Sequence, residues 1–207
     1  MRCDAGERQT RMPDFDLPLA AHQLADLVTA VPEDALAGPT PCADTSVAAL
    51  LDHVGGLSLA FTAAATKEEL PGGPAAPSAD ADHLPDDWRT EIPARLQALA
   101  TAWESPDAWE GMTMAGPLEM PASIAALVTL DELMIHGWDL ARATDQPYAP
   151  DPGLLDVLHG FVAGFAGPGK EAEREGLFGP EVPVPADAPL LDRVVGMTGR
   201  DPSWTPT

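Results

Sequence analysis

Glu132 and His136 stand four residues apart in DELMIHGWDLA, residues 131–141. On a helix that spacing places a carboxylate and an imidazole on one face. Val128, Glu132, His136 and Leu140 form one i, i+4 row, apolar at both ends. The pair is therefore expected to face inward, where an ionised carboxylate is costly unless it is paired or bound to a metal. His53, in LLDHVGGL, shares a helix face with Leu50 and Leu57 and is expected to point into the same core. Two imidazoles and a carboxylate make a catalytic zinc set, with the fourth position left to water or substrate. The same donors accept Ni2+ or Fe2+. Spacing alone leaves a second reading open, a buried His–Glu hydrogen-bond network. Asp139, one turn past His136, is placed either to take the spare N–H of a ligand histidine or to pair with Arg142.

The elements that must position these groups read as helices. The first spans about 16–31 and is ended by Pro32. The second starts near Asp44, Thr45 and Ser46, which offer N-cap oxygens, and carries His53. Residues 68–85 are rich in Pro, Gly, Ser and Asp and are expected to be a loop that could cover a pocket. A third helix, about 86–103, is expected to kink or start late at Pro93. The alternating Met112, Met114, Leu118 and Met120 around AGP suggest a short hairpin or an extended arm. The fourth helix, about 121–144, carries Glu132 and His136. A fifth covers about 152–166, EVPVP reads as extended, and a short last helix lies near 188–199. The predicted fold is all-α, an up-and-down four-helix bundle over 13–148 with a small C-terminal extension, 149–207, packed on it. Residues 1–12 show no periodicity and are expected to be disordered, with Met12 a candidate start.

Composition narrows the function class. Alanine and leucine dominate, which favours helices over sheet. The net charge of −22 disfavours nucleic acid and anionic membrane surfaces as partners. Cys3 and Cys42 form no CxxC pair, and no 18-residue apolar run or signal peptide is read from the chain. A cytoplasmic protein acting on a small molecule, monomeric or homodimeric, is the expectation. Asp52 and Asp131, each beside a candidate ligand, are expected to be solvated, as is His83. His22 is expected to be structural, His159 to lie outside the bundle, and Trp138 to pack in the core.

A resemblance extends this reading. PTPC, then LLDHVGGL, then HGWDLARAT, then the closing APLLDRVVGMTGRDPSW resemble an actinobacterial DinB-like metal-binding family related to mycothiol-dependent maleylpyruvate isomerase. The resemblance runs from about Pro13 to the C-terminus. It implies a four-helix (DinB/MDMPI-like) bundle holding a divalent metal, usually Zn2+. It implies His53, Glu132 and His136 as the ligands, the same residues that share the inward faces. It implies mycothiol as a thiol cosubstrate in isomerisation, addition or S-transfer. The alternative is a non-catalytic metal- or ligand-binding accessory protein of the same fold. One departure is visible: ADTS, residues 43–46, replaces a segment that usually carries an aromatic residue.

Overall fold

Caps and prolines set the helix boundaries. The computed structural model describes residues 15–70, 73 and 77–206. The expected disordered segment, 1–12, and the candidate start at Met12 lie outside them. Helix α1 (Leu17–Ala30) begins where Asp16 accepts the Leu19 N–H at 3.0 Å. It stops at Val31, whose extended backbone is what Pro32 demands of the residue before it. Of the three candidate caps before α2 (Val47–Thr66), Ser46 takes the role, accepting from the Ala49 N–H at 3.2 Å. Helix α3 (Trp88–Trp103) starts two residues later than expected, after Asp87, and continues past Pro93. Pro93 forfeits one intrahelical bond. Burial of Trp88, Ile92, Leu96, Leu99 and Trp103 along the helix offsets that loss.

The expected hairpin is present as β1 (Met112–Ala115) and β2 (Leu118–Pro121), antiparallel, with Thr113 opposite Met120. Thr113 donates to the Ala64 carbonyl at 2.6 Å, which ties the hairpin to the end of α2. The chain passes directly from β2 into α4 (Ala122–Ala143). The start of α4 therefore lies beside the end of α2, and the two helices run antiparallel, where a strict up-and-down order would make them parallel.

Four helices enclose the core. Helix α3 packs on α1 and α2, and α4 packs on the same two from the other side. α1 and α2 thus face each other across a diagonal, which the long connections 31–46 and 104–121 make possible. Leu24, Val28, Leu51, Leu96 and Leu130 fill the centre with almost no exposure. α2 corrects one expectation. It is long and apolar enough to cross a membrane, with mean hydropathy 1.5 over an 18-residue window. Small residues between the leucines disguise that run in the sequence. Its apolarity is spent inside the bundle, where 67% of the window is buried.

The C-terminal part contains α5 (Pro152–Val162), α6 (Glu171–Arg174) and α7 (Leu190–Met197). The fifth helix is shorter than expected, and a 3-10 turn, Ala163–Phe165, finishes it. EVPVP forms no strand. Arg142 of α4 donates to the carbonyls of Pro202 and Trp204, both at 2.9 Å, so the chain end is stitched to the bundle. Gly199 has φ 89° and its Cα lies so near Gly179 that a Cβ would come within 2.8 Å of that backbone. Only glycine meets both demands, and the turn it allows delivers Arg200 to α4.

Candidate metal centre

The three predicted donors meet. One atom from each of His53, Glu132 and His136 lies within 4.8 Å of the other two. Glu132 Oε2 is 2.9 Å from His136 Nε2 and 4.0 Å from His53 Nε2. The imidazole rings stand edge to face, 5.0 Å between centroids at 90°. The His136 side chain is 8% exposed, whereas those of His53 and Glu132 are 22% and 29% exposed, so the cluster has one open side.

Asp139 resolves the choice left open by the sequence. Its Oδ2 lies 3.0 Å from His136 Nδ1, and its carboxylate also accepts from Arg200, at 3.1 Å from Nε and 3.0 Å from Nη2. Arg142 serves the C-terminal carbonyls instead, with its guanidinium 5.8 Å from the Trp138 ring. Trp138 is buried, as expected.

Electrostatics follow from this chain of contacts. Burial works against the charge on His136, but hydrogen bonds to Asp139 and Glu132 more than offset it and push the imidazole up to about 10. Burial likewise raises the Glu132 and Asp139 carboxyls. The His136 hydrogen bond and neighbouring positive charge outweigh it and hold both below their ordinary range. His53 is lowered, by burial first and by the charge on His136 second. Its Nδ1 is buried without a well-aligned hydrogen bond, beside the backbone of Pro77 and Ser78.

Asp131 and Asp52 depart from expectation. Asp131 is buried at 8% exposure, Oδ1 has no hydrogen-bond partner, and burial pushes the carboxyl up to about 8. It is turned away from solvent because α4 is covered on several faces, by the bundle and by the C-terminal part. Asp52 is half-buried and accepts from the Ser78 hydroxyl at 3.3 Å and the Asp80 N–H at 3.1 Å. It pins the segment 77–80 onto α2 next to His53. Gly56 permits this, since a Cβ there would come within 2.7 Å of Pro77.

Of the remaining histidines, exposed His22 bonds Gln97 at 2.9 Å, exposed His83 lies 3.9 Å from Asp80, and His159 lies on α5. Cys42 is a free, half-buried thiol. Sequence reasoning missed Arg200 and the burial of Asp131. It also missed Tyr148, whose hydroxyl donates to the Met134 carbonyl at 2.8 Å. The GRDP turn was the signal for Arg200, because a glycine at a sharp turn followed by arginine delivers a guanidinium.

The donor set fits a divalent ion. Two ligands on a tetrahedral zinc lie about 3.4 Å apart, given bonds near 2.1 Å. The observed separations bracket that value. With Nδ1 of His136 committed to Asp139, Nε2 faces the Glu132 carboxylate and carries either a proton or a metal.

The family model for the mycothiol maleylpyruvate isomerase N-terminal domain matches residues 17–141. The chain belongs to this family. An uncharacterized protein of Mycobacterium tuberculosis, found in strains CDC 1551 / Oshkosh and H37Rv, is 34% identical over 197 residues, covering 88% of this chain and 97% of the relative. Among solved structures, a mycothiol-dependent maleylpyruvate isomerase has the same fold, with a TM-score of 0.56 at 21% identity over 73% of this chain and 70% of that one. A histidine-to-alanine mutant of that isomerase gives 0.54 with the same identity and coverage. The all-α, four-helix expectation and the recognised family both hold.

Proposed function

We propose that this member of the mycothiol isomerase family is a divalent-metal-dependent enzyme acting on a small molecule in the cytoplasm. His53, Glu132 and His136 hold the ion, Zn2+ in preference to Ni2+ or Fe2+. Mycothiol is the thiol cosubstrate for an isomerisation, addition or S-transfer. The observation that carries the reading is the meeting of three donors from two helices within 4.8 Å, with one open side.

A bound divalent metal supplies Lewis acidity that turns a thiol into a thiolate near neutral pH. The chain's own groups prepare the site. Asp139 holds the Nδ1 proton of His136, which fixes the tautomer and aims the Nε2 lone pair at the cluster. Arg200 balances the buried Asp139 charge and locks its rotamer from the other side. The 77–80 segment, fastened by Asp52, lies along the Nδ1 side of the His53 ring. Family membership supports the thiol partner, since the solved relatives are named for mycothiol dependence.

The test is a thiol-dependent turnover assay on metal-loaded protein, with mycothiol and an α,β-unsaturated dicarboxylate such as maleylpyruvate. Turnover that requires both metal and thiol, and vanishes in His136→Ala, supports the proposal. Turnover unchanged by metal removal favours a second reading, for which the 2.9 Å Glu132–His136 contact speaks: a metal-free carboxylate–imidazole pair doing acid–base work.

A further inference from the structure

A cavity of about 770 Å3 lies away from the donor cluster, between the C-terminal half of α2 and the hairpin. Its α2 wall is Ala60 and Ala63. Ala60 is seven residues beyond His53, roughly 10 Å along the helix axis. Pro77, seated on Gly56, lies against the helix between them. The size suits a small organic ligand.

The lining combines two chemistries. Met112 and Met114 are 51% and 45% exposed and line the cavity together with Leu70. Strand alternation puts them on the same side of the hairpin as Glu119, which pairs with Met114 across the ladder. Exposed, flexible thioethers in a concavity are suited to moulding around an apolar body. Around them stand the carboxylates of Glu68, Glu69 and Glu119 against the single ammonium of Lys67. Among the described residues none of these four is in a salt bridge. Lys67 Nζ is turned instead to the Asp107 carbonyl at 2.6 Å. The local excess of negative charge has the same sign as the whole chain, −22. It repels an organic anion and attracts a cation.

We propose that this cavity binds an apolar organic amine in its protonated form, with the hydrocarbon part against Met112 and Met114 and the ammonium toward Glu119 and its neighbours. The site does not depend on the metal centre.

Calorimetric titration of the full chain with naphthylmethylamine and with naphthylacetate tests it, because the two probes share a ring and differ in charge. Saturable one-to-one binding of the amine, with the carboxylate about tenfold weaker, is expected. Glu119→Gln should weaken the amine about two- to fivefold and leave the carboxylate no weaker. The Met112→Ala/Met114→Ala double variant should weaken both probes. Chelation of divalent metal should change neither affinity, so failure here is distinct from failure at the metal centre. No saturable amine binding, equal binding of the two probes, insensitivity to Glu119→Gln, or loss on chelation would each overturn the proposal. The comparison of probes on the unaltered chain stands even where a variant loses its fold.

Discussion

Arg200 Nη2 lies 3.0 Å from Asp139 Oδ2, the same oxygen that lies 3.0 Å from His136 Nδ1. Arg200 and the candidate ligand His136 thus converge on one carboxylate oxygen, and the C-terminal turn becomes part of the site. The fully buried Asp139 carboxylate has cations on both sides, which is the condition for keeping it ionised.

Asp139→Ala should lower zinc affinity about 10- to 100-fold, measured by competition with a chromophoric chelator, because His136 loses the partner that fixes its ring. It should also cost about 3–5 kcal/mol in urea denaturation, since Arg200 is left partly buried without its counter-charge. Asp139→Asn keeps an acceptor oxygen and should recover part of the zinc affinity.

The metal-free chain should lose stability as pH rises. His136, raised to about 10, contributes stability that is complete below its ordinary value near 6.5 and is lost as pH climbs toward 10. Asp131, raised to about 8, acts in the same direction between its ordinary 3.8 and 8. Glu132 and Asp139, both lowered, contribute stability that is lost as pH falls below the ordinary carboxylate range. Urea midpoints of chelator-treated protein should therefore be higher at mildly acidic than at mildly alkaline pH. Asp131→Asn should flatten that slope, because an amide does not titrate.

Gly56→Ala should loosen the 77–80 segment, since the new Cβ would meet Pro77 at 2.7 Å. A loss of about 1–3 kcal/mol and faster proteolysis near Ser78 are expected. Asp52→Ala removes the anchor of the same segment without overpacking, so it should speed proteolysis with a smaller stability change.

Leu51→Ala should cost about 2–5 kcal/mol in thermal or urea unfolding, because a side chain with no exposure leaves a cavity in the bundle centre. Zinc binding should survive at temperatures where the variant remains folded.

The fold was legible where local chemistry decides it. Asp16, Ser46 and Pro32 mark helix ends by hydrogen bonding and fixed backbone angles, and the three donors share inward faces by helical period alone. Asp131 was misread because periodicity describes one helix against one core. Here α4 is covered on more than one side, so a position off the bundle stripe is still dry. Arg200 was illegible as a site residue because its role depends on a long-range turn at Gly199. Pro93 marks no helix start, since burial of large apolar residues along α3 outweighs one lost hydrogen bond and the helix begins at Trp88.

The most direct test is the zinc content of the purified chain by elemental analysis, alongside His53→Ala, Glu132→Ala and His136→Ala. One equivalent per chain, lost in each variant while its helical circular dichroism persists, is the expected result. A folded native chain that takes up no divalent ion from added zinc, or variants that retain a full equivalent, would contradict a metal centre at His53, Glu132 and His136.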